Sequence, residues 1–388
     1  MRRTSPPAPQ PTLSEVVREW GRIGCTGFGG PPTLIALLRD LCVKQRGWLT
    51  SEEFEDALAA CNLLPGPAAT QLSIFCAWRV RGRPGALLGG LAFTLPGLVM
   101  ILALAALFLS GSPPLWVVGA GAGAGAAVAA VALRAGFGLV PASWPGERGR
   151  RARWLAYLVA GGVAAATIGP WLVLVLLGCG LVELLLRSAP RLGLSSLSSW
   201  PLAAVAGVTT GGLAALSWVA FKVGALSYGG GFVIVPMMQA DAVSHYHWMT
   251  AGQFLNAVAL GQITPGPVVQ TVAVVGYAAA GVVGGLIAAA IAFAPSFAFV
   301  LVGAPRFDRL RGNRSARAFL NGAGPAAIGA IIGSAIPLAR AIAEPWQFGV
   351  LAAAAILLVG FRRSIVLTLL AAGVVGVLVS VSGGPLPH

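Results

Sequence analysis

Charge is what this sequence has least of: only 10% of its 388 residues are Asp, Glu, Lys or Arg, and just 12 are acidic. A soluble domain carries about a quarter of its residues charged, so a water-facing globular fold is excluded. The scarcity of acids also leaves few groups for acid/base chemistry. No paired carboxylates, no nucleophile beside a base and no metal-ligand cluster stand out at membrane depth, which argues against a membrane-embedded enzyme. The five cysteines, Cys25, Cys42, Cys61, Cys76 and Cys179, are odd in number and show no CxxC or Cys/His spacing, which speaks against a disulfide framework or a zinc site. A Walker A sequence is missing, so neither ATP nor any cofactor is expected. The opening "MRRTSPPAPQPTLSEVVREW" lacks an apolar core and a cleavage site. Residues 1–13 are therefore expected to form a disordered cytoplasmic lead, not a signal peptide.

What is present is apolar. Hydrophobic residues make up 57% of the chain and its mean hydropathy is +0.83, values that identify an all-α polytopic membrane protein. Runs such as Pro84 to Leu109, Trp154 to Gly169, Pro170 to Leu186 and Ser364 to Ser382 approach the ~20 residues that cross a ~30 Å hydrocarbon core. The 53 glycines and 27 prolines fit close helix packing and helices broken around cavities. The net charge of +14 resides mostly in short loops, where it sets topology and gives no reason to expect nucleic acid as a partner.

Placing residue n beneath residue n+200 aligns the chain with itself. From Gly24 to Pro67, 12 of 44 pairs are identical, among them Trp48/Trp248, Thr50/Thr250 and the Pro-Gly-Pro at Pro65-Gly66-Pro67 and Pro265-Gly266-Pro267. Further on the offset becomes 199, where Pro96 meets Pro295 and "GAGAAVAA" meets "GAGPAAIG". Two copies of one unit are expected, over 14–190 and 214–388, joined by a linker at 191–213. Their loops carry opposite charge patterns. The three arginines from Arg79 to Arg83 face an uncharged "YAAAG", and the neutral "GSPPLW" faces five arginines between Arg306 and Arg317. By the positive-inside rule the copies lie inverted in the membrane. Each begins with two interrupted hairpins, Ser14 to Lys44 and Glu52 to Arg79 in the first copy, followed by about four transmembrane helices. An extra crossing from Ser199 to Trp218 would bring the total to nine, with the N-terminus cytoplasmic and the C-terminus outside.

Proline inside a helix costs about 3 kcal/mol or more, yet the pattern occurs twice. A helix that stops and restarts at midplane presents unpaired N–H groups and the positive end of its dipole, which suits an anion. Pro67 and Pro267 fit the first position of the restarted helices. Gly29, Gly30 and Pro31 in "GFGGPP", and Gly229, Gly230 and Gly231 in "SYGGGF", let backbone approach a ligand. Asn62, Thr70 and Gln71 flank one Pro-Gly-Pro, and Gln262, Thr264 and Gln270 the other. These neutral groups, with Gln71, Gln262 and Gln270 as side-chain donors, suit a tetrahedral oxyanion. Arg22 and Lys222 occupy equivalent positions and would supply a positive field. Glu183 is expected to pair with Arg187 at i,i+4, and His245 and His247 to lie in an exposed loop.

The order "GFGGPPTLIALLRDLCVKQRGWLTSEEFEDALAACNLLPGPAATQ", followed by "SYGGGFVIVPMMQADAVSHYHWMTAGQFLNAVALGQITPGPVV", resembles the chromate ion transporter family in its long, two-domain form, over nearly the whole chain. The resemblance implies gradient-driven chromate export, chromate resistance in bacteria, and sulfate as a chemically similar oxyanion. Gly27 and Asn62 stand where the family usually has Ser and Gln, whereas Ser227 and Gln262 keep the pattern in the second copy. A carrier for sulfate or another oxyanion, an anion channel, and a homodimer are the alternatives the sequence leaves open.

Overall fold

The computed structural model describes residues 11–62, 64, 66–188, 212–227, 231–304 and 314–387. Among them there is no strand. The first unit comprises α1 (Leu13–Thr26), α2 (Pro31–Arg39), α3 (Ser51–Cys61), α4 (Ala68–Phe108), α5 (Leu115–Ala126), α6 (Val128–Ser143), α7 (Arg148–Thr167) and α8 (Leu172–Ser188). The second comprises α9 (Leu213–Leu226), α10 (Ile234–Gln239), α11 (Ala251–Ile263), α12 (Thr271–Gly303), α13 (Arg314–Gly333), α14 (Ala335–Arg340), α15 (Pro345–Ala355) and α16 (Ile365–Val381).

Local chemistry recurs at the sequence offset. Thr50 caps α3 by accepting from Glu53 N (3.1 Å) while Glu53 accepts from Thr50 N (2.9 Å). Thr250 and Gln253 repeat this capping box at α11 (3.2 and 2.9 Å). Single π-turns extend α2 over Asp40–Gln45 and α10 over Ala240–His245. The long helices α4 and α12 are each broken at one point, Arg81-Gly82 and Ala280-Gly281, where the glycines take φ of +64° and +62°. Only glycine adopts this backbone cheaply. The break folds the first arm of α4 (68–80) back on its second (83–108), so that a Cβ at Gly85 would lie 2.4 Å from the Ala77 carbonyl. Gly276 meets Gly284 in the same way in α12. Gly82→Ala is expected to cost about 1–3 kcal/mol, although nothing lies within 4 Å of a Cβ there. A lower melting temperature of the purified protein in detergent reads this out.

Close glycine contacts assemble the bundle, as expected where the surrounding solvent is as apolar as the side chains. Within each unit, Gly24 packs on Phe93 and Gly224 on Ala292, holding α1 against α4 and α9 against α12. Across units, α13 packs on α7 through Gly161, Gly329 and Gly333, and on α8 through Gly322 and Gly180, while α5 packs on α16 through Gly119, Gly123 and Gly376. Each unit therefore inserts helices into the other. Gln347 on α15 adds a buried bond from its Nε2 to the Ala122 carbonyl (2.8 Å).

The exterior carries large apolar side chains such as Val99, Leu115, Val302, Leu367 and Val381, the surface of a protein embedded in lipid. Four helical stretches among the described residues have the length and composition to cross a membrane: Ala68–Phe108, Leu115–Ser143, Val268–Gly303 and Arg314–Arg340. Shorter apolar helices cover Leu213–Leu226, Pro345–Gly360 and Ile365–Val381. The expected crossing from Ser199 to Trp218 falls mostly outside the described residues, as does the lead at 1–13, of which only residues 11–13 are described and Leu13 begins α1. The last part of the stretch from Ser199 to Trp218 belongs to α9: Gly212, with φ +82°, is its N-cap, and Leu213 to Trp218 form its start.

Candidate functional site

The turn between α1 and α2 and Gly231 after α9 both lie against the second Pro-Gly-Pro, while the first Pro-Gly-Pro lies against α9 and α12. Between α1 and α2, Gly29 (φ +100°) and Gly30 (φ +78°) turn the chain, and Pro31 takes the first helical position of α2. The Gly27 carbonyl just before them accepts from Gly266 N in the second Pro-Gly-Pro (3.1 Å). Gly231, after α9, approaches Val268 and Val269, which follow that same Pro-Gly-Pro, and the Ser227 hydroxyl. Gly66, in the first Pro-Gly-Pro, approaches Gln71, the Gly224 carbonyl on α9 and Ser296 on α12. The first Pro-Gly-Pro thus packs beside Ser296, and the second beside Gly97, whose added Cβ would stand 2.1 Å from the Pro265 carbonyl. Gly97 and Ser296 are mates at the 199-residue offset.

Polar atoms buried here lack hydrogen-bond partners among the described residues: Thr70 Oγ1, Ser73 Oγ, Ser227 Oγ, Ser296 Oγ, Gln262 Nε2 and Gln270 Oε1. All six side chains belong to residues at most 5% exposed. Leaving one such atom unsatisfied costs about 1–3 kcal/mol, and native interiors hold few of them. They are concentrated beside the breaks, and a polar guest there could satisfy them. The chemistry is mostly that of donors: three serine hydroxyls, a threonine hydroxyl and one amide nitrogen, with a single amide oxygen.

Several expected roles change in detail. Pro67 is the extended residue before the restarted helix (φ −74°, ψ 103°), one position earlier than its sequence suggested. Gly66 turns the chain at φ +116°, so helical bonding begins only with Gln71 N to the Pro67 carbonyl (3.0 Å). Pro267 similarly precedes a 3-10 turn, Val268–Gln270, before α12. Thr264 spends its hydroxyl on the Leu260 carbonyl (2.8 Å), a local bond that withdraws it from the centre. Gln270 donates to the Thr94 carbonyl (2.9 Å), and the atom left without a partner is its acceptor. Asn62 is exposed and caps the C-terminus of α3. Pro65, Gly229 and Gly230 lie outside the described residues.

Neither cation stands alone at the breaks. The Arg22 side chain is 56% exposed and pairs with Glu19 (3.0 Å), which also holds Arg46 (2.5 Å). Lys222 is more enclosed and pairs with Asp241 at 2.6 Å. Sequence reasoning missed Asp241 because it sits in the π-turn after α10, 19 residues from the lysine. It also missed Ser73, Gly97 and Ser296. The position of Ser296 beside Pro295, the mate of Pro96, was the available signal.

A cavity of about 600 Å³ leads to the first break. Asn62 and Gly66 line it at one end, and Arg150, Arg153, Arg187 and Arg317 line it as well. Buried Glu183 accepts from Arg187 Nε (2.6 Å) and from the Tyr157 hydroxyl (3.1 Å), with Arg153 Nε 3.4 Å away. The expected Glu183–Arg187 pair is therefore present as part of a larger cluster. His245 and His247 are exposed. No group of three or more metal-ligating side chains occurs among the described residues.

The sequence profile described as "Chromate transporter" matches this chain twice, at residues 14–184 and 214–377. The chain belongs to the chromate transporter family. It is 34% identical over 347 residues to a chromate transport protein of Cupriavidus metallidurans, covering 86% of this chain and 84% of that one. It is 31% identical over 382 residues to a chromate transport protein of Pseudomonas aeruginosa, covering 92% and 90%. An uncharacterized transporter of Methanocaldococcus jannaschii shares 27% identity over 78% of both chains. No solved structure matches. The relatives are named as transport proteins, and the helical, lipid-facing architecture of this family member is that of a membrane-embedded protein.

Proposed function

We propose that the protein is a secondary active transporter that exports chromate across the plasma membrane by alternating access, and so gives chromate resistance. Family membership supports chromate as the substrate. The observation that carries the reading is that the buried hydroxyls of Thr70, Ser227 and Ser296, with Gln262 Nε2, have no partner among the described residues and lie beside or within four residues of a helix interruption. Chromate is tetrahedral and doubly charged at neutral pH. Neutral donors and helix N-termini stabilise such an anion without a buried counter-charge that would hinder its release. Gly29, Gly30, Gly66, Gly231 and Gly266 bring backbone close to it, with Pro31, Pro67, Pro265 and Pro267 setting the chain direction.

Two inverted units, 14–190 and 214–388, rocking against each other supply the conformational cycle. The recurrence of capping boxes, π-turns and glycine breaks at fixed offsets supports the repeat, and the opposed loop charges support the inversion. On this topology the arginine-lined cavity opens to the cytoplasm, where an exporter loads.

Radiolabelled chromate uptake into inverted vesicles under imposed pH gradients tests the proposal. Wild type should accumulate chromate above its external concentration, with sulfate competing. Downhill flux alone would indicate a channel, and faster sulfate than chromate transport would reassign the substrate. Thr70→Val and Ser296→Ala should each reduce transport about ten-fold, the effect of removing one hydrogen bond to a charged group at about 1.5 kcal/mol, with membrane levels unchanged.

A further inference from the structure

The arginine-bearing cavity has no equally basic counterpart in the other unit. Its walls come from the end of α6, the start of α7, the end of α8 and the length of α13, and its lining among the described residues holds four arginines against one glutamate. By chain order these helices correspond to α14, α15, α16 and α5, of which α14 holds Arg340 and α15 is preceded by Glu344. Pro345–Ala355, Leu115–Ala126 and Ile365–Val381 contain no charged residue. A two-fold pseudosymmetric build therefore carries a one-sided field. Glu183 positions two of the arginines: it is 3% exposed, while the Arg153 and Arg187 side chains it holds are 42% and 30% exposed. A guanidinium has five N–H donors, so each fork keeps donors for a guest. Arg150 is tied to Glu147 (2.6 Å), outside the cavity lining. Arg317 has no carboxylate partner among the described residues.

We propose that this cavity is a cytoplasmic capture subsite for a dianionic tetrahedral oxyanion. The anion is held by the guanidinium forks of Arg150, Arg153, Arg187 and Arg317, and passes to the first break past Asn62 and Gly66. Guanidinium recognises such anions bidentately, and a walled cavity of one sign raises the local anion concentration. The equivalent walls in the second unit carry one arginine, Arg340, and one glutamate, Glu344, so the anion is released there without a comparable hold. The subsite rests on the transport reading above and adds a prediction that reading does not make: affinity differs between the two faces.

The test uses the full-length protein in inside-out and right-side-out vesicles, with labelled chromate. Wild type should show a lower KM at the cytoplasmic than at the external face. The double variant Arg150→Gln/Arg317→Gln should raise the cytoplasmic KM about ten-fold, with the loss residing in KM and with a shallower dependence on ionic strength, and should leave the external KM unchanged. Arg150→Lys/Arg317→Lys, which keeps the charge, should recover part of the affinity. Equilibrium binding of labelled sulfate to the detergent-purified proteins gives a readout independent of turnover, and should weaken in the same order. A cytoplasmic KM and salt dependence equal to wild type, or equal increases at both faces, overturns the subsite while export stands. A wild-type protein that neither binds nor moves chromate or sulfate overturns the transport reading and the subsite together.

Discussion

Gly66→Leu is expected to reduce transport at least a hundred-fold, equivalent to about 2.7 kcal/mol in the barrier. Two causes act together. The residue has φ +116°, where a side chain is strained by about 1–3 kcal/mol. A Cβ would also lie 2.6 Å from Gln71 Nε2 and 3.4 Å from both the Gly224 carbonyl and Ser296 Oγ. The added side chain thus fills the space where the first Pro-Gly-Pro meets the second unit. Gly47→Ala is the control for strain alone, since Gly47 has φ +61° with nothing within 4 Å of a Cβ. It should retain transport. Initial rates of chromate uptake, normalised to protein in the vesicle membrane, check both. A Gly66→Leu variant that is monodisperse in detergent and transports at the wild-type rate would remove this break from the site.

The second large effect is on stability. Lys222 and Asp241 pair at 2.6 Å with side chains only 17% and 7% exposed. Asp241→Ala leaves an enclosed ammonium without its partner and is expected to cost about 3–5 kcal/mol. The ring of Trp218, 6.0 Å from the ammonium, offsets little of this. Replacing both, as Lys222→Met/Asp241→Leu, removes the uncompensated charge and should restore most of the loss. Melting temperatures of the single and double variants in detergent form the cycle that measures the coupling. A single variant as stable as wild type would mean that water already solvates the lysine.

The sequence carried the hairpin breaks because backbone chemistry is local. Pro-Gly-Pro and Gly-Gly act on their immediate neighbours, so among the described residues the turns at Gly29, Gly30, Gly66 and Gly266 appear where the sequence placed them. Pro67 shows the limit of that precision. Its fixed φ suits either the first helical turn or the extended residue before it, and the turn at Gly66 decided for the latter. Lys222 and Thr264 show a different limit. Their residue types and positions suggested a role at the site, but each is satisfied by another group: Lys222 by Asp241 and Thr264 by the Leu260 carbonyl. Residue type says what a side chain can do, while its nearest partner determines whether it is available.

Composition alone made this an all-helical membrane protein, since a chain with so little charge has no other solvent. Self-alignment at 200 and 199 residues made a repeat the expectation, since equivalent turns need equivalent residues. Only tertiary structure decided that Ser296 and Gly97, far along the chain, pack on the two Pro-Gly-Pro segments, and that α13 sits between helices of the first unit while α5 packs on α16 of the second. These contacts depend on which glycine faces which carbonyl across separate helices. Small residues are so common here, with 53 glycines, that their one-dimensional pattern fits many pairings, and close packing in three dimensions selects one.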